Sequence, residues 1–433
     1  MNSIHNMLKD LPELIKAGVI TQETAQKIQD YYTNKSGSSA NRLFIVFGIL
    51  GAILIGLGII LIIAHNWDEL SRAFKTSVAF LPLIMGQVLC GFVLLKKQHN
   101  TAWIESASAF LFFSVGASIT LISQIFHIPG NLSAFLLTWM LLCLPLIYVM
   151  QTSIVSLLYL IGITYYAGET SYWSYPPSES YLYWLLLFMG LPYYYYLFRR
   201  KPESNFMIFH HWIVPLSVVV ALGTVANKIH ELMFIAYFSL FGMLYLIGEQ
   251  DFFIRQKPRN NAYKILGALG SIALLLVLSF DWFWNDLRTL DLQFIEVITA
   301  PDFFAAAVTT LFSGILLYLQ YNNKGWHNIK PLSLVFIMFI VTFILGLWTS
   351  IAVVLINLCV FAIGILTIRE GAHQNHLGIL NFGLLVITAL VVCRFFDTDL
   401  SFVIRGILFV SVGAGFFAAN IWMLKKRKAN GQK

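Results

Sequence analysis

The stretch LFIVFGILGAILIGLGIILIIAHNWDEL, residues 43–70, decides the fold. Its first part, 43–64, is an uninterrupted apolar run without a charge. About 20 such residues in a helix span the roughly 30 Å of a bilayer's hydrocarbon core. The run stops abruptly at His65-Asn66-Trp67-Asp68-Glu69, where an indole beside charges marks a membrane–water boundary. Within it Gly48, Ala52 and Gly56 repeat every four residues, a small-residue stripe that lets a second helix backbone approach closely.

Working outward, similar runs recur to the end of the chain. Candidate spans lie at 43–64, 76–95, 104–126, 132–149, 152–167, 181–198, 208–226, 231–248, 263–283, 302–321, 331–347, 349–368, 376–394 and 402–424. Spans four and five are separated only by Gln151-Thr152-Ser153, and spans eleven and twelve only by a break near Gly346 and Thr349-Ser350. The fold class is therefore all-α, a polytopic integral membrane helical bundle of about fourteen transmembrane helices, with twelve the alternative if one hairpin is misread. Composition agrees: of 433 residues 58% are hydrophobic and 11% charged, against about 25% charged in a soluble domain. The net charge of +7 does not point to nucleic acid, because the basic residues sit in short clusters between apolar runs. The lipid bilayer is the expected partner.

The positive-inside rule orients the chain. With the N-terminus inside, Arg72, Lys75, Lys228, Arg288, Arg394 and Arg405 fall outside, and every other Lys and Arg of the 28 falls inside. Both termini are expected in the cytoplasm. About 40 mostly polar residues precede the first apolar run, so no cleavable leader is expected. Residues 4–32 read as a cytoplasmic helical hairpin: Leu8, Leu11, Leu14 and Ile15 form one stripe, Gly18 ends it, and Thr21 caps a second helix with Glu23 in its first turn. The organisation is then 1–41 hairpin and linker, 42–260 first membrane half, 261–424 second membrane half, and 425–433 basic tail. Span one and span nine (KILGALGSIALLLVLSFDWFWNDL) both carry Ile-Leu-Gly-Ala near one end and a Trp-acid-Leu corner at the other, as a parallel duplication would.

Polar residues gather at the outer ends of the spans. His65, Asn66, Trp67, Asp68, Glu69, Arg72 and Lys75 join spans one and two, Gln124 and His127 end span three, and Arg394, Asp397 and Arg405 flank the last hairpin. Charges and amides at membrane depth are costly and are retained beside partners or substrate paths. A shared outer-face polar site is one reading, and interfacial anchoring by Trp and snorkelling Arg or Lys is the other. No Asp or Glu is evident at mid-span, where proton-coupled transport would want one. The aromatic loop 172–177 reads as an interfacial belt. His373 and His376, with Glu370 near, lack the companions a metal site needs. Cys90, Cys143, Cys359 and Cys393 have no CxxC spacing. With no Walker A, HExxH or GxSxG motif, neither a metal nor a cofactor is expected.

The N-terminal hairpin ending in Tyr31-Tyr32, the Gly-rich first span closing in AHNWDEL, and GASITLISQIFHIPG at 116–130 together resemble the bacterial predicted-membrane-protein family called domain of unknown function 2157. The resemblance covers roughly residues 8–150, and its pattern matches Ala64 before Asn66-Trp67-Asp68 and the Gln124…His127 pair. It implies a bacterial cytoplasmic (inner) membrane location and assigns no reaction. Three functions compete. The first is a transporter-like protein or flippase acting on a small molecule or lipid. The second is a membrane scaffold or sensor whose hairpin docks a protein partner. The third is a membrane enzyme on a lipid-linked substrate, with His65, Asp68, Glu69 or His127 as acid–base groups.

Overall fold

The computed structural model describes residues 11–12, 14–28, 54, 70–289, 294–325, 329–396 and 401–429. They form two compact units, 1–78 and 79–433. Among the described residues there is helix and turn but no strand.

In the first unit, residues 14–16 and 22–28 are helical. Gly18 ends the first helix at φ +68°, a left-handed conformation that costs glycine nothing. Thr21 caps the second by accepting from the Thr24 amide at 3.3 Å, and Glu23 pairs with Lys27 one turn on. Leu11 and Ala25 are buried apolar residues among those described there. Span one apart from Leu54, and with it the Gly48, Ala52 and Gly56 stripe, lies outside the described residues, as do His65 to Glu69 and Asp397.

From residue 72 onward every expected span overlaps a helix, span 263–283 overlapping two, within a set of fourteen helices of eight residues or more among the described residues. These are α1 (Arg72–Lys96), α2 (Thr101–Ile125), α3 (Leu132–Met150), α4 (Ser153–Ser171), α5 (Tyr181–Arg200), α6 (Asn205–Leu222), α7 (Leu232–Gly248), α8 (Ala262–Val277), α9 (Trp282–Thr289), α10 (Pro301–Lys324), α11 (Val335–Gly346), α12 (Ile351–His373), α13 (Leu377–Phe395) and α14 (Phe402–Ala429). Among the described residues seven, α1, α2, α3, α6, α10, α12 and α13, are long and apolar enough to cross a membrane, and the bent α8–α9 pair makes an eighth if read as one span. The others fall short for physical reasons. α4 carries Ser, Thr and Glu, α5 carries the run Tyr193–Tyr196, and α7 and α11 are short.

The narrow gaps between spans are real turns. Gln151 takes φ +51° between α3 and α4, so the chain leaves one helix and enters the next across two residues, Gln151 and Thr152. Gly346 ends α11 and Ile351 begins α12, and a Cβ at Gly346 would lie 2.5 Å from the buried Trp284 ring. Helices also meet backbone to backbone where glycine removes the side chain. A Cβ on Gly267 of α8 would sit 2.5 Å from the Tyr245 nitrogen of α7, and one on Gly383 of α13 would sit 2.8 Å from the Gly364 carbonyl of α12.

One core joins α2 to α6 through Phe112, Met140, Tyr159, Tyr183 and Met207, and a larger one joins α7 to α13 through Phe238, Trp284, Phe339, Ile356 and Val386. The outer surface of the helices is apolar as well: Leu142, Phe188, Leu311, Leu358 and Leu385 are exposed. Water would not tolerate such a surface over so many helices, whereas lipid does.

Candidate functional site

The second half's Trp-acid-Leu corner, Asp281-Trp282-Phe283-Trp284-Asn285-Asp286-Leu287, is where a helix breaks. α8 stops at Val277 and α9 restarts at Trp282, bent by 75°. A break inside an apolar bundle releases backbone carbonyls that must find donors, since an unpaired one costs several kcal/mol, of order 2–7. The donors are side chains. Trp284 Nε1 donates to the Leu278 carbonyl at 2.8 Å, and Asn357 Nδ2, from within α12, donates to the Ser279 carbonyl at 3.0 Å. The Ser279 hydroxyl donates to the Leu276 carbonyl at 2.6 Å and accepts from Arg394 Nη2 at 3.0 Å. The Arg394 guanidinium lies 4.5 Å from the centre of the Phe280 ring, a cation–π distance. Beyond the bend Asp281 pairs with Arg288 at 3.4 Å and accepts from Asn285 at 2.7 Å.

Of the residues marked from sequence, Arg394 thus belongs to a built polar cluster. Its neighbours Ser279 and Asn357 were missed; a polar amide in mid-span at 357 was the available signal. Arg405, at the start of α14, lies over the Phe402 ring at 5.2 Å, and Phe395 of α13 meets Phe409 of α14 edge to face.

Gln124 and His127 occupy a different place. His127 turns the chain after α2 with φ +49°, and the Ile128 amide returns to the Ser123 carbonyl at 2.9 Å. The Gln-x-x-His-x-Pro-Gly pattern therefore encodes a left-handed helix stop. Gln124 itself lines a cavity of about 980 Å³ with Phe80, Gln87, Ser118, Asn131 and Thr138. Arg72 is exposed at the start of α1, and Lys75 is half-buried one turn later.

Several buried polar groups had no place in the sequence reading. Glu105 of α2 accepts from Thr152 Oγ1 at 2.5 Å and from the Ser153 and Ile154 amides at 2.9 and 2.8 Å, so its carboxylate caps the N-terminus of α4. Asp302 does the same for the loop after α6, taking the amides of Asn227, Lys228 and Ile229 at 3.1–3.3 Å. Buried carboxylates do exist, then, but at helix ends and each already satisfied by donors. Two adjacent buried histidines sit in α6: His210 Nε2 bonds Ser156 Oγ at 2.9 Å, and His211 Nδ1 meets the Tyr194 hydroxyl, itself 2.9 Å from that of Tyr263.

The remaining expectations resolve simply. His376 caps α13 by accepting from the Ile379 amide at 3.3 Å, and Glu370 pairs with Lys330. In the aromatic loop Tyr172, Trp173 and Tyr175 are all exposed; Tyr172 donates to the Val220 carbonyl at 2.7 Å, and its partial burial raises its pKa above the ordinary tyrosine value.

Apolar exterior, membrane-length helices and a side-chain-repaired helix break define the class: a helical membrane protein that crosses the bilayer several times. Residues 12–156 match the family described as Predicted membrane protein (DUF2157), in line with the resemblance seen over the same stretch. The match runs through Glu105, the Gln124–His127 turn and the start of α4, and the helix break lies beyond it. No curated protein and no solved structure matches the chain.

Proposed function

We propose that this is a transporter-like or flippase-like protein of a bacterial cytoplasmic membrane, threaded about fourteen times with both termini inside. Its polar site lies near the outer face. The observation that carries the reading is the 75° break between α8 and α9, whose freed backbone is held by Asn357 and whose hydroxyl is held by Arg394. Broken helices at membrane depth are tolerated where they line a site, and transporters build substrate sites from them. The same Trp-acid-Leu pattern recurs in the sequence at the end of span one, and Gln124 lines a cavity large enough for a lipid headgroup.

The test is reconstitution of the purified chain in liposomes, measuring translocation of fluorescent phospholipids and substrate-linked changes in membrane potential. A rate above protein-free liposomes that falls at least tenfold in Arg394→Met and Asn357→Leu is expected. A wild-type rate equal to that of empty liposomes in both assays would remove the reading.

A further inference from the structure

A second polar cavity, of about 410 Å³, lies at the other ends of the helices, between the C-terminal ends of α3 and α5 and the loop joining α1 to α2. Its inner wall is a set of satisfied groups. The Glu105 carboxylate is turned onto the N-terminus of α4, and the Tyr193 hydroxyl donates to the Gln151 carbonyl at 3.1 Å and meets Ser153 Oγ at 3.0 Å. The Tyr196 hydroxyl is fixed on Gln151 Oε1 at 2.9 Å. Its rim is basic: Arg200 and Lys201 close α5, and His99 stands on the facing loop, whose preceding residues are Lys96 and Lys97. Arg200 lies over the Tyr196 ring at 5.9 Å, which holds the guanidinium at the mouth of the cavity.

Glu105 is saturated by donors at a helix N-terminus, where the positive end of the dipole offsets its charge. The cavity's free valence is therefore cationic. We propose that it binds a phosphate ester, with Arg200 and Lys201 on the phosphate oxygens and the Gln98 and Gln151 amides beside the remainder of the headgroup. Basic pockets between transmembrane helices recognise anionic lipid headgroups in this way. The site is separate from the helix break and does not depend on transport.

The test uses the full chain in detergent, with native mass spectrometry after addition of phosphatidylglycerol or phosphatidylcholine. Arg199 provides the control: it lies on the same turn, carries the same charge and stacks over Tyr195, and it is absent from the cavity wall. Arg200→Gln combined with Lys201→Gln should weaken phosphatidylglycerol retention at least tenfold, whereas Arg199→Gln should change it by less than twofold. Lys201→Gln alone, at an exposed position, should give an intermediate loss and guards against a folding defect in the pair. Displacement of the lipid by glycerol 3-phosphate would support soluble phosphate esters as ligands too, and failure to displace it would support the lipid alone. Equal losses in Arg199→Gln and the double variant, or no loss in either, would overturn the proposal.

Discussion

Glu105→Ala should be the most damaging single substitution of an acidic residue in the α2–α6 bundle. The residue is 6% exposed, and its carboxylate receives one hydroxyl and two amides at 2.5–2.9 Å, all from the first turn of α4. Hydrogen bonds to a charged group contribute about 1.5–3 kcal/mol each in water-soluble proteins. Side-chain bonds measured inside a membrane average nearer 0.6 kcal/mol, because the unfolded chain also finds partners there. Orphaning two amides and a hydroxyl at a buried helix start therefore comes to about 3 kcal/mol. Glu105→Gln keeps one acceptor oxygen but turns an amide group towards a donor, so it should cost about half as much. The assay is equilibrium unfolding in mixed detergent micelles followed by tryptophan fluorescence, with the exposed Glu203→Ala as a control expected to stay near wild type. If Glu105→Ala unfolds within about 0.5 kcal/mol of wild type, the cap contributes nothing. If Gln stays at wild type while Ala is damaging, the loss is one of shape and the electrostatic argument fails.

Asp302→Asn should loosen the 227–229 turn, at about 1–2 kcal/mol, because three amides lose a charged acceptor; faster proteolysis after residue 227 would report it, and an unchanged cleavage rate would contradict it. Gly383→Leu should separate α12 from α13, since a Cβ there would lie 2.8 Å from the Gly364 carbonyl; a drop in melting temperature of several degrees is expected, with Leu385→Ala on the exposed face neutral. Asn357→Leu removes the donor to the Ser279 carbonyl and should cost about 1 kcal/mol in the same micelle assay, with Asn357→Gln recovering part of it.

The helices were legible because lipid is an unforgiving solvent: each run long enough to hide its backbone is a helix from α1 onward. The hairpins were legible for the same reason, since Gln151-Thr152-Ser153 and the Gly346–Ser350 break cluster polar or glycine residues within apolar stretches too long for one span. The bend before Trp282 was not legible. A Trp-rich end reads as an interfacial anchor, and only the buried Trp284 ring, bonded back onto Leu278, shows that the corner turns inward. Glu105 escaped notice because an acid at the edge of an apolar run looks solvated. Its partners stand 47 to 49 residues further on, and no local spacing announces them. Arg394 was visible as a cation at membrane depth, but the Ser279 that receives it is 115 residues earlier.

Threading through the bilayer underlies everything said of the outer site, and cysteine accessibility measures it most directly. In a chain with Cys90, Cys143, Cys359 and Cys393 replaced, single cysteines would be placed at the exposed positions Gln98, Tyr175, His230 and Lys257. A membrane-impermeant maleimide added to intact spheroplasts should label positions 175 and 230 and leave 98 and 257 untouched until the membrane is opened. Labelling of 98 or 257 from outside, or of all four from one side, would contradict the account.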